Sequence, residues 1–167
     1  MPLVPQQRMV RVAAALTLAG CAASSGGSEG GPAPASYKQA LGTAALTDVE
    51  TKVPKVLNRH QYEIERQDGS PGLLTIQTRW NGRYPLEDEI AQGVTEALTR
   101  LVITARARAR SGGTVDVRVV ELVAENRVFI GDSAQWREGF MTPMFREYAD
   151  QLVTELKTEL LTGIRVY

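Results

Sequence analysis

Aromatic residues divide this sequence into two parts that cannot share one core. The two Trp, five Tyr and three Phe of the 167-residue chain all lie at Tyr37 or later. Residues 1–36 therefore contain no aromatic ring to pack, whereas residues 37–167 are long enough for one domain with a single sizeable core. The sequence predicts one folded domain over 37–167, preceded by residues that serve targeting and linkage.

Charge and cysteine content argue against several classes of protein. The chain has 19 Lys and Arg against 19 Asp and Glu, whereas a nucleic-acid-binding protein is usually strongly basic. The single cysteine, Cys21, allows neither an internal disulfide nor a thiolate metal cluster within one chain. We therefore expect no nucleic-acid partner, no metal site and no cofactor.

The amino-terminal residues have the pattern of a secretory signal. Arg8 and Arg11 supply positive charge, and residues 12–18 form an apolar run shorter than the about 20 residues that span a bilayer. Positions 18–21 then read Leu-Ala-Gly-Cys. This order resembles the lipobox of bacterial lipoproteins, in which a leucine and two small residues precede the cysteine that receives lipid.

The resemblance implies a lipid anchor. According to this resemblance, residues 1–20 are a signal peptide that is removed, and Cys21 becomes the first residue. Acyl chains such as palmitate on Cys21 then attach the protein to its partner, the membrane. It also implies a bacterial cell-envelope location, and Ala22 in place of Asp favours the outer membrane, facing the periplasm. Ordinary secretion or a buried structural cysteine are the alternatives. A start at Met9 would keep the motif.

Residues 21–36 are predicted to be a flexible tether that begins at the lipidated Cys21. After the cysteine the segment is built from Ala, Ser, Gly and Pro with a single Glu, and such residues cannot bury enough surface to offset the entropy of ordering. A flexible coil of this length spans roughly 20 Å. We therefore expect the domain to hang near the membrane without lying on it.

Three helices are predicted in the domain. The first begins at Thr47, where Glu50 completes a capping box, and is bent or shortened at Pro54. The last has Thr142 as N-cap and Pro143 in its first turn. The apolar stripes of these two helices are Val49, Val53, Val56 and Leu57, and Phe145, Tyr148, Ala149, Leu152, Leu156 and Leu160. Four-residue spacing suggests a middle helix through Leu86, Ile90, Val94 and Leu98.

Alternating polar and apolar residues predict four main strands. They cover residues 62–66, 73–80, 101–110 and 115–120, the last two forming a hairpin, and 164–167 are a candidate for a short additional edge strand. Together these elements predict an α+β fold, with an antiparallel sheet of about four strands and helices packed on one face.

Arginines line one side of the predicted hairpin. A three-residue loop would set Arg108 opposite Asp116 and project four arginines from the same face. These candidate anion-binding residues are Arg106, Arg108, Arg110 and Arg118. Because guanidinium groups match phosphate and carboxylate geometry, anionic lipid or lipopolysaccharide is one possible ligand. The alternative is an ordinary solvated sheet face, offset by Glu63 and Glu65 on a neighbouring strand.

A Gly-Asp-Ser sequence at 131–133 resembles the first block of the Gly-Asp-Ser-Leu hydrolases, whose serine is the nucleophile. Those enzymes carry the block near the start of an α/β domain and a histidine late in the chain, but no histidine follows Ser133. The sole histidine, His60, precedes it, and a serine nucleophile needs a nearby base. We therefore predict a turn, no catalytic residue and no enzyme, with hydrolysis as a remote alternative.

Other polar and aromatic clusters have ordinary structural explanations. The carboxylates at 87–89, and Glu155 with Glu159, are expected on solvated helix faces rather than as acid–base pairs. The aromatic residues in or beside loops serve either the core or a partner-binding edge; they are Trp80, Tyr84, Trp136 and Phe140.

The expected function is therefore binding or scaffolding in the cell envelope, with an envelope protein as partner and anionic lipid as the alternative ligand. The layout of a lipid anchor followed by a sheet and helices is similar to that of envelope-assembly lipoproteins such as the lipopolysaccharide-transport accessory subunit. That likeness of layout assigns a role to no residue.

Overall fold

Two long antiparallel strands form the centre of the fold. The computed structural model describes residues 36–108 and 116–161. Its strands are β1 (Ser36–Ala45), β2 (Ile64–Ser70), β3 (Leu73–Thr78), β4 (Asn81–Arg83), β5 (Val94–Ala107), β6 (Val117–Ile130) and β7 (Gln135–Glu138). Its helices are α1 (Leu46–Arg59), α2 (Glu87–Ile90) and α3 (Pro143–Leu161).

The strands form one antiparallel sheet in the order β1-β6-β5-β3-β2, with β4 also pairing β5 and β7 also pairing β6. The prediction of an α+β fold is confirmed. The expected number of strands is wrong, because the described residues contain seven and the sequence pattern missed β1, β4 and β7. The length of β5 and β6 allows the additional strands to pair, since each of these two central strands has two shorter partners along its outer edge.

Strand β1 shows why the sequence pattern missed an edge strand. It consists largely of small residues and carries an irregularity between Ala40 and Gly42, which breaks the alternation of side chains. Gly42 has a φ of 108°, a backbone conformation that glycine tolerates best. The bulged residue, Leu41, is only 3% exposed, so the irregularity turns an apolar side chain into the core.

The predicted middle helix is wrong beyond its first turn. Helix α2 ends at Ile90, and both Val94 and Leu98 lie in β5. Gly93, with a φ of 81°, separates the helical turn from the strand. The alternation of buried residues through Ala97, Thr99, Leu101, Ile103 and Ala105 is continuous, so period two prevails over the four-residue spacing.

The predicted register of the β5–β6 hairpin is also wrong, by one residue. Ala107 lies opposite Arg118 rather than opposite Val117. Near the loop, valines at 117, 119 and 120 leave the choice of face open. Further along, the buried pairs Leu101–Ala124, Ile103–Leu122 and Ala105–Val120 fix the register, because a slip of one residue would expose the apolar side chains of one strand.

Helices α1 and α3 pack over this apolar face of the sheet and close the main core. In α3 the predicted cap is confirmed, since the Phe145 amide donates to Thr142 Oγ1 at 3.1 Å, and its apolar stripe is buried except for the half-buried Tyr148. Residues 162–167, including the predicted edge strand, lie outside the described part of the chain.

Helix α1 also buries its predicted stripe but starts differently. It begins at Leu46 with Ala45 as N-cap and no side-chain cap, so the capping box at Thr47 is not formed. Pro54 lies within one unbroken helix, which ends at Arg59.

Candidate binding surfaces

The predicted arginine face does not form as a set of four. Arg106 and Arg108 are exposed, but Arg118 is only 7% exposed and lies on the core face of β6, where it pairs with Asp116 at 2.5 Å. Arg110 falls among residues 109–115, outside the described residues. The one-residue change of register is the physical reason, because it moves Arg118 to the face opposite Arg106.

The sheet face opposite α1 and α3 is here called the open face. It carries alternate residues of β5 and β6, including Val102, Val119, Glu121, Val123 and Glu125. Some of its charges are paired, since Lys38 contacts Glu121 at 3.0 Å and Arg100 contacts Glu125 at 2.5 Å. The open face therefore combines β-branched apolar side chains with two ion pairs and with the exposed Arg106, which lies beside Val119.

Trp80 lies beside two guanidinium groups, in an arrangement that the sequence did not suggest. The Cζ atoms of Arg100 and Arg127 lie 4.6 and 4.9 Å from its ring centroid, within the range of cation–π attraction. A pocket of about 280 Å³ adjoins them and is also lined by Ser36, Glu125, Asn126 and Glu138. Reading β5 as a strand from Val94 onward would have placed Arg100 on this face.

Arg83, Glu89 and Asn126 form a buried polar network, here called the Arg83 hub. Arg83 Nη1 and Nη2 donate to the Glu89 carboxylate at 2.7 and 2.6 Å, and Nη2 also donates to Asn126 Oδ1 at 2.9 Å. Asn126 Nδ2 in turn donates to Glu89 Oε1 at 2.9 Å, and Arg83 Nε donates to Thr99 Oγ1 at 3.0 Å. The hub links β4, α2, β5 and β6 into one unit.

The expectation that the carboxylates at 87–89 are solvated is wrong for Glu89, which is only 2% exposed. Burial alone would raise the pKa of Glu89. Hydrogen bonds from Arg83, the Leu86 amide and Asn126 outweigh burial, and the pKa is lowered. The carboxylate is therefore held ionised by partners that are all supplied by the fold. This is a structural ion pair rather than an acid–base site.

The loop aromatics have separate environments. Trp136 packs against Phe129, with ring centroids 5.5 Å apart, and remains 43% exposed. Tyr84 and Phe140 are 94% and 53% exposed. Of the four aromatic candidates, Trp80 alone is held in a contact with charged neighbours, and Tyr84 is the most open to solvent.

The Gly-Asp-Ser residues form a turn, as predicted. Gly131–Ser133 make one 3-10 turn after β6, and Ser133 Oγ donates to the Ile130 carbonyl at 3.3 Å. His60 is engaged elsewhere, since its Nε2 lies 2.5 Å from Glu155, and this hydrogen bond lowers the pKa of that carboxyl. The geometry therefore shows Ser133 bonded to backbone and His60 bonded to α3, rather than to each other.

Within 36–108 and 116–161, no group of three or more His, Cys, Asp or Glu side chains is arranged to hold a metal ion. No helix in the same part of the chain has the length and apolar character needed to cross a membrane. Cys21 lies outside these residues, so its lipidation stays a prediction. The chain matches no protein-family model and no curated protein.

Proposed function

We propose that this chain is a lipid-anchored cell-envelope protein whose domain binds or scaffolds an envelope partner and does not catalyse a reaction. The lipobox-like residues at 18–21 support the anchor, with Cys21 as the acylated residue and the outer membrane as its location. The observation that carries a binding role is the open face. Helices α1 and α3 cover only the other side of the sheet, and Val119 and Leu73 are 45% and 37% exposed on it.

The anchor is tested by metabolic labelling with a palmitate analogue in the native host. The parent chain should incorporate label and fractionate with the outer membrane, and Cys21→Ala should do neither. Equal labelling of both chains would contradict the assignment of Cys21.

The binding role is tested by crosslinking and pull-down of the tagged, lipidated protein. A reproducible envelope protein should be recovered with the parent chain and lost with Val119→Lys and Leu73→Lys on the open face. Glu147→Lys, on the exposed side of α3, is the matched control. Recovery unchanged by both open-face substitutions would contradict the assignment of that face.

Anionic lipid binding is the second candidate, favoured by one specific observation. Arg106 and Arg108 are exposed, and neither makes an ion pair with another residue of the described chain. Reversal of both charges should abolish salt-sensitive binding to anionic vesicles. Arg66→Glu, at an exposed arginine on β2, is the control.

The remote hydrolase alternative predicts ester hydrolysis that disappears in Ser133→Ala. An inactive parent chain would exclude this alternative.

A further inference from the structure

Three large apolar side chains stand out by their exposure. Tyr84, Ile90 and Phe140 are 94%, 56% and 53% exposed, and among the described residues only Leu161, the last residue of α3, is another large apolar side chain that is more than half exposed. They are here called the apolar patch. Exposed apolar groups that are held together on a surface commonly mark a contact with another apolar phase.

Tyr84 and Phe140 are hydrogen-bonded to the Arg83 hub through their backbone carbonyls, and Ile90 is adjacent to it in sequence. Arg83 Nη1 donates to the Tyr84 carbonyl at 3.1 Å, and Asn126 Nδ2 donates to the Phe140 carbonyl at 3.4 Å. Ile90 directly follows Glu89, the carboxylate at the centre of the hub. The network fixes the backbone at Tyr84 and Phe140, so a contact made there has to order side chains but not the backbone.

The first described residue lies close to the apolar patch. Ser36 pairs with Glu125 on β6, and the next residue of β6, Asn126, accepts the Gly139 amide at 2.8 Å through its carbonyl. Phe140 follows directly. Ser36 therefore lies near Phe140. Residues 22–35 reach no more than about 50 Å even when fully extended.

We propose that the apolar patch inserts into the headgroup region of the bilayer that holds the acyl chains of Cys21. This inference rests on the proposed lipid anchor. Tyr side chains, which combine an apolar ring with a polar tip, favour the membrane–water interface, and Phe and Ile side chains add apolar area that can be buried there. A short tether keeps the patch at high effective concentration near the bilayer, so a weak contact becomes persistent. The domain then lies on the membrane instead of hanging from it.

The contact is tested with an environment-sensitive fluorophore on Glu87→Cys, an exposed position of α2 next to the patch. The introduced thiol is the only free one when Cys21 is acylated. Lipidated protein in phosphatidylcholine vesicles should show a blue shift and quenching by nitroxide lipids. A probe at Asp68→Cys, on exposed β2, should show neither. Tyr84→Ser with Phe140→Ser should abolish quenching at position 87, and both substitutions lie at the surface, where folding tolerates them.

Each outcome separates the patch from the anchor. Quenching at 87 that is insensitive to salt and to anionic lipid supports the patch, whereas equal quenching at 68 and 87, or none at 87 in protein that floats with vesicles, overturns it. If Cys21 takes no palmitate, the same probe is placed in Cys21→Ser and measured at excess lipid. Quenching then supports insertion of the patch without an anchor, and no quenching overturns it. Photocrosslinking at Glu87 to a protein rather than to lipid would overturn the bilayer as occupant.

Discussion

Gly139 shows how tightly the hub limits single residues. A Cβ atom at this position would lie 2.6 Å from Asn126 Cγ, closer than real Cβ contacts allow. Asn126 cannot easily move, because its amide is bonded to both Arg83 and Glu89. Gly139→Ala should therefore lower the free energy of unfolding by about 1–3 kcal/mol, measured by urea denaturation. Gly69→Ala, where a Cβ meets no atom within 4 Å, is the control. Equal effects would contradict the packing argument.

The ion pair at the centre of the hub makes a second prediction at this scale. Arg83→Met removes both bonds to the Glu89 carboxylate, whose side chain is only 2% exposed, and leaves a buried charge without its cation. We expect a loss of about 3–5 kcal/mol in the free energy of unfolding. Arg66→Met breaks the exposed contact with Asp68 and should cost less than about 1 kcal/mol. A small loss in Arg83→Met would show that Glu89 is not held as described.

At the scale of elements, the start of α3 is fixed by one hydroxyl. Thr142 Oγ1 accepts the Phe145 amide, and Thr142 is only 5% exposed. Thr142→Ala should cost about 1 kcal/mol, measured by thermal or urea unfolding. Thr154→Ala, on the exposed side of the same helix, removes a hydroxyl that bonds the Asp150 carbonyl and should be neutral or slightly stabilising. A loss in Thr154→Ala equal to that in Thr142→Ala would contradict the capping role.

In the middle of the chain, pairing within the sheet overrides a helical spacing of apolar residues. Leu86, Ile90, Val94 and Leu98 match a helical spacing, yet only the first turn is helical. As a strand, this segment forms hydrogen bonds with neighbours on both sides and buries Ala97 and Leu101 in the sheet. The free energy gained from this pairing and burial outweighs the local preference for a helix.

For the whole molecule, acid stability should follow the two lowered carboxyl pKa values. Glu89 and Glu155 both have pKa values below the ordinary 4.5, so the unfolded chain binds their protons more readily than the folded protein does. Their contribution is complete above about pH 4.5 and is lost as the pH falls through the lowered values. The urea midpoint should therefore decline below this pH.

Glu89→Gln tests the origin of that decline. The variant should be less stable near neutral pH, and its urea midpoint should vary less with acid than that of the parent chain. Glu87→Gln, at the exposed neighbour in α2, should keep the parental pH profile. If the Glu89→Gln profile has the parental slope, the acid sensitivity arises elsewhere in the molecule.

Features that depend on neighbours along the chain are predictable from the amino-acid sequence. The cap and stripe of α3, the buried stripe of α1 and the turn at 131–133 all follow from local hydrogen bonding and helical periodicity. The α+β class follows as well, because alternation and helical spacing occur in separate segments.

Contacts between residues far apart in the chain form only when the sheet and the helices assemble. Pairing of β1 with β6 joins segments about eighty residues apart, and no local pattern encodes it. Burial of the whole apolar set of β5 and β6 fixed the register, which moved Arg118 off the predicted face. The Arg83 hub likewise needs four elements in place before its charges can be satisfied. These contacts depend on the burial free energy summed over the whole sheet. A local sequence pattern carries no information about that sum.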